Sequence, residues 1–107
     1  MVVVSVWYKL KPGCRESLMD AVRNNVEATR KEPGNIKYEH FKSVEDEQEM
    51  FVFEVWESKK YLEAHINAEH YLKFSEIRKP MLADKDSYRY TIYSVSGSVD
   101  GTRISTW

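Results

Sequence analysis

Two stretches of the chain are apolar nearly throughout, VVVSVW at Val2–Trp7 and FVFEVW at Phe51–Trp56. Both are rich in β-branched and aromatic residues and too apolar for strands that keep one solvated face. Val2–Leu10 is predicted as a strand ended by the Lys11-Pro12-Gly13 turn, and Met50–Glu57 as a second such strand. Between them, Leu18, Val22, Asn25, Val26 and Thr29 recur at helical spacing, which predicts a helix over Arg15–Lys31, stopped at Glu32-Pro33-Gly34. Asn35–Val44 is a more mixed strand, with Ile36, Tyr38 and His40 alternating with Lys37, Glu39 and Phe41. After Trp56 the period changes. Ser58 is placed to cap a helix over Lys59–Ile66, and Asn67 to cap another that carries Tyr71, Phe74, Ile77 and Arg78 along one side. Tyr88–Ser94 reads as a fourth strand.

The order β-α-β-β-α-α-β is that of an α+β, ferredoxin-like split βαβ fold whose second helix is broken in two. In that topology the first and third strands are central and the second and fourth are edges, which matches where the charges fall. Helices on one side of such a sheet should leave its other face polar, yet the central strands are apolar on both faces. Two subunits stacked sheet against sheet resolve the conflict, so a homodimer is expected, with the helix-side face left to enclose a cavity. The domain is expected to span residues 1–95. The Gly/Ser/Thr-rich remainder, 96–107, is expected to be a tail that is flexible or packs on the partner subunit.

A length of 107 residues fits one domain, and 42% hydrophobic with 31% charged residues describes a globular chain rather than a disordered one. A net charge of −1 offers no basic face, so nucleic acid is not expected as a partner. The single Cys14 allows no intrachain disulfide. No run approaches the ~18 apolar residues of a membrane span, and Val2–Val6 is too short for a signal peptide. A cytoplasmic protein is expected. The aromatic content of 13% is more than a small core needs and points to an oligomer interface, a pocket for a flat ligand, or both.

Three polar residues stand where the pattern asks for hydrocarbon: Glu54 inside the most apolar strand, His65 on the apolar side of the following helix, and Asn25 on the stripe of the first helix. Each alone is explained by a hydrogen bond in a core. All three facing one cavity would make a site. His70 lies five residues after His65, about 140° away on a continuous helix, so the two are a poor metal pair and no metal is expected. No Gly-rich phosphate loop or GxGxxG is present, and no cofactor is expected.

Glu54-Val55-Trp56-Glu57-Ser58, Leu62-Glu63-Ala64-His65, His70 and Phe74-Ser75 resemble the E-x-W-x-S…L-x-x-H…H signature of the antibiotic biosynthesis monooxygenase (ABM) family. Arg30-Lys31-Glu32-Pro33-Gly34-Asn35 is similar to that family's link between first helix and second strand. The resemblance covers about residues 2–95 and implies a dimeric α+β barrel. One branch of the family oxidises polyphenols or quinols with O₂ and no cofactor. A second degrades haem with an Asn, a Trp and a haem-ligating His, where this chain has Val6, His65 and Ser75, so haem chemistry is not expected. A third, similar in Asn25, the Glu32-Pro33-Gly34-Asn35 turn and His70-Tyr71-Leu72, isomerises the phosphorylated autoinducer-2 signal.

The expected function is therefore cofactor-independent monooxygenation of a small phenolic or quinol substrate. The alternatives are isomerisation of a small phosphorylated sugar-like compound, or a non-catalytic dimer that binds a small aromatic. In the first reading His65 is the base, Glu54 orients it or stabilises its cation, and Asn25 donates a hydrogen bond to the developing oxyanion. Trp7, Phe53, Trp56, Tyr61 and His70 complete the expected substrate pocket.

Overall fold

A computed structural model describes residues 1–95 of the chain. The elements run β1 (Val2–Lys9), α1 (Cys14–Arg30), β2 (Asn35–Lys42), β3 (Glu49–Trp56), α2 (Lys59–Ile66), α3 (Glu69–Arg78), a short 3₁₀ turn (Lys79–Met81) and β4 (Tyr88–Ser94). The four strands form one antiparallel sheet in the order β2-β3-β1-β4. β1 and β3 are central, as the apolar pattern requires. The expected 96–107 tail lies outside the described residues.

Strand parity decides which side chains meet the helices. β1 buries Val2, Val4, Val6 and Tyr8, and its register with β3 sets Val4 against Glu54 and Val6 against Val52. On that same helix-side face β2 presents Tyr38 and His40, and β4 presents Tyr88, Tyr90 and Ile92. Leu18 and Val22 of α1, Leu62 of α2 and Phe74 of α3 close the core over it. The opposite face carries Trp7, Phe51 and Phe53 from the central strands and Phe41 from β2. Phe41 and Phe51 are 45% and 39% exposed there.

The junction of α2 and α3 departs from the expected capping. Asn67 is the C-terminal cap of α2, and its side chain donates back to the Glu63 carbonyl. Ala68, in an extended conformation, is the residue before α3, whose first turn is closed by Leu72 N–H to the Ala68 carbonyl. The break makes a corner rather than a continuous helix. A second corner is fixed at Gly34, whose φ of 78° is left-handed and whose missing Cβ leaves room for the Tyr61 ring. Among the described residues no helix is long and apolar enough to cross a membrane.

Candidate functional site

Glu54 faces the helices and is 5% exposed, with its Oε1 accepting a hydrogen bond of 3.0 Å from the Trp56 indole Nε1. Burial pushes its carboxyl up to about 7, the Trp56 hydrogen bond pulling partly the other way, the Glu32 charge pushing further up and the Arg78 charge pulling down. Near neutral pH Glu54 therefore populates both protonation states. It lines a cavity of about 250 Å³ together with Val4 and Val6 of β1, Leu62, His65 and Ile66 of α2, Tyr71 of α3, and Tyr88, Tyr90 and Ile92 of β4. A dry cavity of about 150 Å³ holds benzene, so this volume suits a compound of one substituted ring.

His65 is 1% exposed, its ring packed between Trp56 and Tyr71 at centroid distances of 4.9 and 4.7 Å. Its Nδ1 lies 2.6 Å from Glu32 Oε2. A carboxylate oxygen accepts, so Nδ1 carries the proton and Nε2 keeps a lone pair. That Nε2 is buried and has no partner among the described residues. Burial holds the imidazole below its ordinary value, with the Glu32 carboxylate working against the shift. The resulting group is a neutral base, held in one tautomer by a carboxylate behind it.

His70 joins the same carboxylate, its Nε2 2.8 Å from Glu32 Oε2. This corrects the expectation that the two histidines diverge. The angle of a continuous helix does not apply across the break at Asn67-Ala68, and the corner swings His70 back toward His65. Ligand atoms of Glu32, His65 and His70 lie within 4.8 Å of one another, a two-imidazole, one-carboxylate set of the kind divalent transition ions take. The observed 2.6 and 2.8 Å separations are those of charge-assisted hydrogen bonds.

The other expected site residues are distributed differently. Asn25 is buried on α1, but its Nδ2 donates to the Tyr38 hydroxyl at 3.0 Å and it does not line the cavity. Glu54 bonds Trp56 rather than His65, and the carboxylate that holds the His65 ring is Glu32. Trp56 is fully buried behind Glu54 and holds it. Tyr61 packs over Gly34, away from the cavity wall. Trp7 and Phe53 stand on the opposite face of the sheet, because β1 and β3 pair with odd-numbered residues together on that side.

Glu32, which holds both imidazoles, and Tyr71 and Tyr88, which line the cavity, are residues that sequence reasoning does not single out for the site. For Glu32 the signal was the Glu-Pro-Gly-Asn turn, and for Tyr71 the His-Tyr-Leu run that follows the helix break.

Comparison with known proteins agrees with this architecture. "Putative monooxygenase YcnE" of Bacillus subtilis (strain 168) is 28% identical over 83 residues, 78% of this chain and 87% of the relative. The solved structure described as "Putative antibiotic biosynthesis monooxygenase from Nitrosomonas europaea" superposes with a TM-score of 0.83 at 26% identity, covering 91% of this chain and 100% of that one. Rv0793 from Mycobacterium tuberculosis shares the fold at a TM-score of 0.80 and 22% identity, over 92% of this chain and 97% of its own. The family model described as antibiotic biosynthesis monooxygenase matches residues 1–77, and this chain belongs to that family.

Proposed function

We propose that this chain is a cofactor-independent monooxygenase that oxidises a small phenolic or quinol substrate with O₂, using His65 as the base. The observation that carries the reading is His65 itself: buried on the cavity wall, Nδ1 held by Glu32, Nε2 unpartnered among the described residues. A phenol ordinarily titrates near pH 10, by analogy with Tyr, so at neutral pH it needs a base to become electron-rich enough to reduce O₂. Hydroquinone plus O₂ gives hydroxyquinone plus water. The ring yields four electrons, one oxygen stays on carbon, the other leaves as water, and no outside reductant enters. Glu54, populated in both protonation states, is suited to pass the second proton.

The test is oxygen consumption by metal-free protein with a panel of hydroquinones and catechols. Wild type consumes O₂ and His65→Gln does not; equal uptake by the two removes His65 from the chemistry. Product formed equally without O₂ would instead favour proton-shift isomerisation by the same base.

The same reading includes a second copy of the chain on the outer sheet face, where Trp7, Phe51, Phe53 and Phe41 leave apolar surface. Sedimentation is expected to give a dimer that Phe53→Glu splits; a wild-type monomer refutes the pairing.

A further inference from the structure

Arg78 is buried to 4% exposure at the end of α3, yet among the described residues it forms no salt bridge. Its guanidinium is instead surrounded by aromatic faces, those of Tyr88 at 4.7 Å and of Tyr8 and Phe74 at 4.9 Å each. Buried charges are usually paired, and π-faces compensate only part of the lost hydration. The positive charge therefore acts on its surroundings with no carboxylate paired to it among the described residues, and the carboxyl it pulls on, Glu54, is itself pushed up to about 7 by burial. Between it and the cavity stand Tyr71 and Tyr88, whose hydroxyls lie 3.5 Å apart. These two tyrosines line both the cavity and the groove that Arg78 lines.

We propose that Tyr71 and Tyr88, backed by the Arg78 guanidinium, form an anion-binding wall, so that the cavity selects substrates whose reacting hydroxyl is held there as a phenolate or enolate. The inference rests on the same cavity as the monooxygenase reading and names its substrate class: weakly acidic, planar hydroxy compounds that arrive with their proton and are held as anions once it has left. Phenol O–H groups next to a guanidinium are polarised donors, and donors prearranged in a dry site stabilise an oxyanion more than water does. Of the titratable groups of the other walls, Glu54 is the one that opposes this field. His65 on α2 and His40 on β2 are held neutral by burial, and burial also keeps Tyr8 on β1 and Tyr38 on β2 protonated. Glu54 on β3, pushed up to about 7 by burial, is neutral below that pH and works against a bound anion above it. Behind them stands one carboxylate, Glu32, committed to the two imidazoles.

The probe is 4-nitrophenol, whose phenolate absorbs in the visible, titrated free and bound to the full-length protein. Bound to wild type, it is expected to ionise at a pH at least one unit below the free compound, a tenfold or greater preference for the anion. Arg78→Met, and the less disruptive Tyr71→Phe and Tyr88→Phe, shrink that preference. Circular dichroism melts confirm that each variant is folded, and the two Phe variants decide the matter if Arg78→Met does not fold. A probe that does not bind wild type, that ionises when bound as it does in water, or whose shift survives all three wall variants overturns the proposal. A retained anion preference in a protein that consumes no O₂ leaves the wall standing and removes the monooxygenase.

Discussion

Replacing Glu54 by Gln isolates the energetic cost of keeping a carboxyl in the cavity wall. Gln has the same length and its carbonyl oxygen still accepts from the Trp56 indole, so packing and the 3.0 Å hydrogen bond persist. What changes is ionisation. The folded carboxyl titrates at about 7 against an ordinary 4.5, so between those values the folded state holds a proton that the unfolded chain has released. Stability then falls as pH rises across that window, by about 1.4 kcal/mol per pH unit. Over the whole window the loss reaches about 3 kcal/mol, undiminished by solvent because Glu54 is buried. Gln has nothing to ionise and escapes it.

Glu54→Gln is therefore expected to gain stability relative to wild type as pH rises from 4.5 to 7, and to hold a constant difference on either side. For a domain of this length that is about 10–20 °C in Tm. The assay is urea unfolding of both proteins at half-unit pH steps from 4 to 8.5, followed by tryptophan fluorescence. A difference that stays flat across the window would mean that Glu54 is solvated or paired by an approaching charge, and the assignment of it as a proton carrier near pH 7 would fall with it.

Glu32→Gln removes the charge behind His65 while keeping an acceptor: kcat is expected to fall about ten- to a hundredfold with KM little changed, and Glu32→Asp to restore part of it. Because the Glu32 carboxylate raises the His65 value, its loss should also move the acid limb of the rate profile to lower pH, and an unmoved limb rejects the relay. Gly34→Ala meets both a φ of 78° and the Tyr61 ring 2.1 Å from the new Cβ, so a loss of about 2–5 kcal/mol is expected in denaturant melts. Tyr61→Ala should relieve the part due to the clash, and equal losses in both backgrounds would assign it all to the backbone. His40, held down at about 3 by burial, contributes stability that is lost as pH falls below 6.5, and His40→Gln should flatten that slope in acid melts.

The strand order and the central position of β1 and β3 were legible because VVVSVW and FVFEVW have no solvated face to offer, and edge positions would leave them half wet. The same property hid the site. In a strand apolar on both sides, alternation carries no parity, so FVFEVW does not say whether Glu54 or Phe53 turns to the helices. Only the pairing register, Val4 with Glu54 and Trp7 with Phe51, settles it, and Trp7 and Phe53 fall on the outer face as a result. Glu32 was out of reach for another reason. It is 33 residues from His65 and 38 from His70, and its meeting with them depends on where α1 stops and on the corner at Asn67-Ala68. Helical spacing described each histidine alone and misjudged the pair. Asn25 was correctly placed on a buried stripe, but the pattern could not tell a residue facing the cavity from one engaged by Tyr38.

The charges behind the cavity give the cluster a direction. A carboxylate, Glu32, backs the imidazole, and a guanidinium, Arg78, backs the two phenols. In the proposed step, moving a proton from a bound hydroxyl to His65 places the new cation beside the negative group and leaves the new anion beside the positive one. Each fixed charge therefore stabilises the product of transfer more than the neutral pair that precedes it, which is the condition for accelerating the step rather than only binding the substrate. Side chains that began the step ionised would lack that asymmetry, since they would hold charge before transfer as well as after. Burial is what prevents this: it lowers the imidazole and raises the carboxyl of Glu54, so both face the cavity uncharged for part of their population. A site arranged this way discriminates by acidity. A hydroxyl far less acidic than a phenol would leave the proton where it was, and one already ionised in water would have none to give to His65.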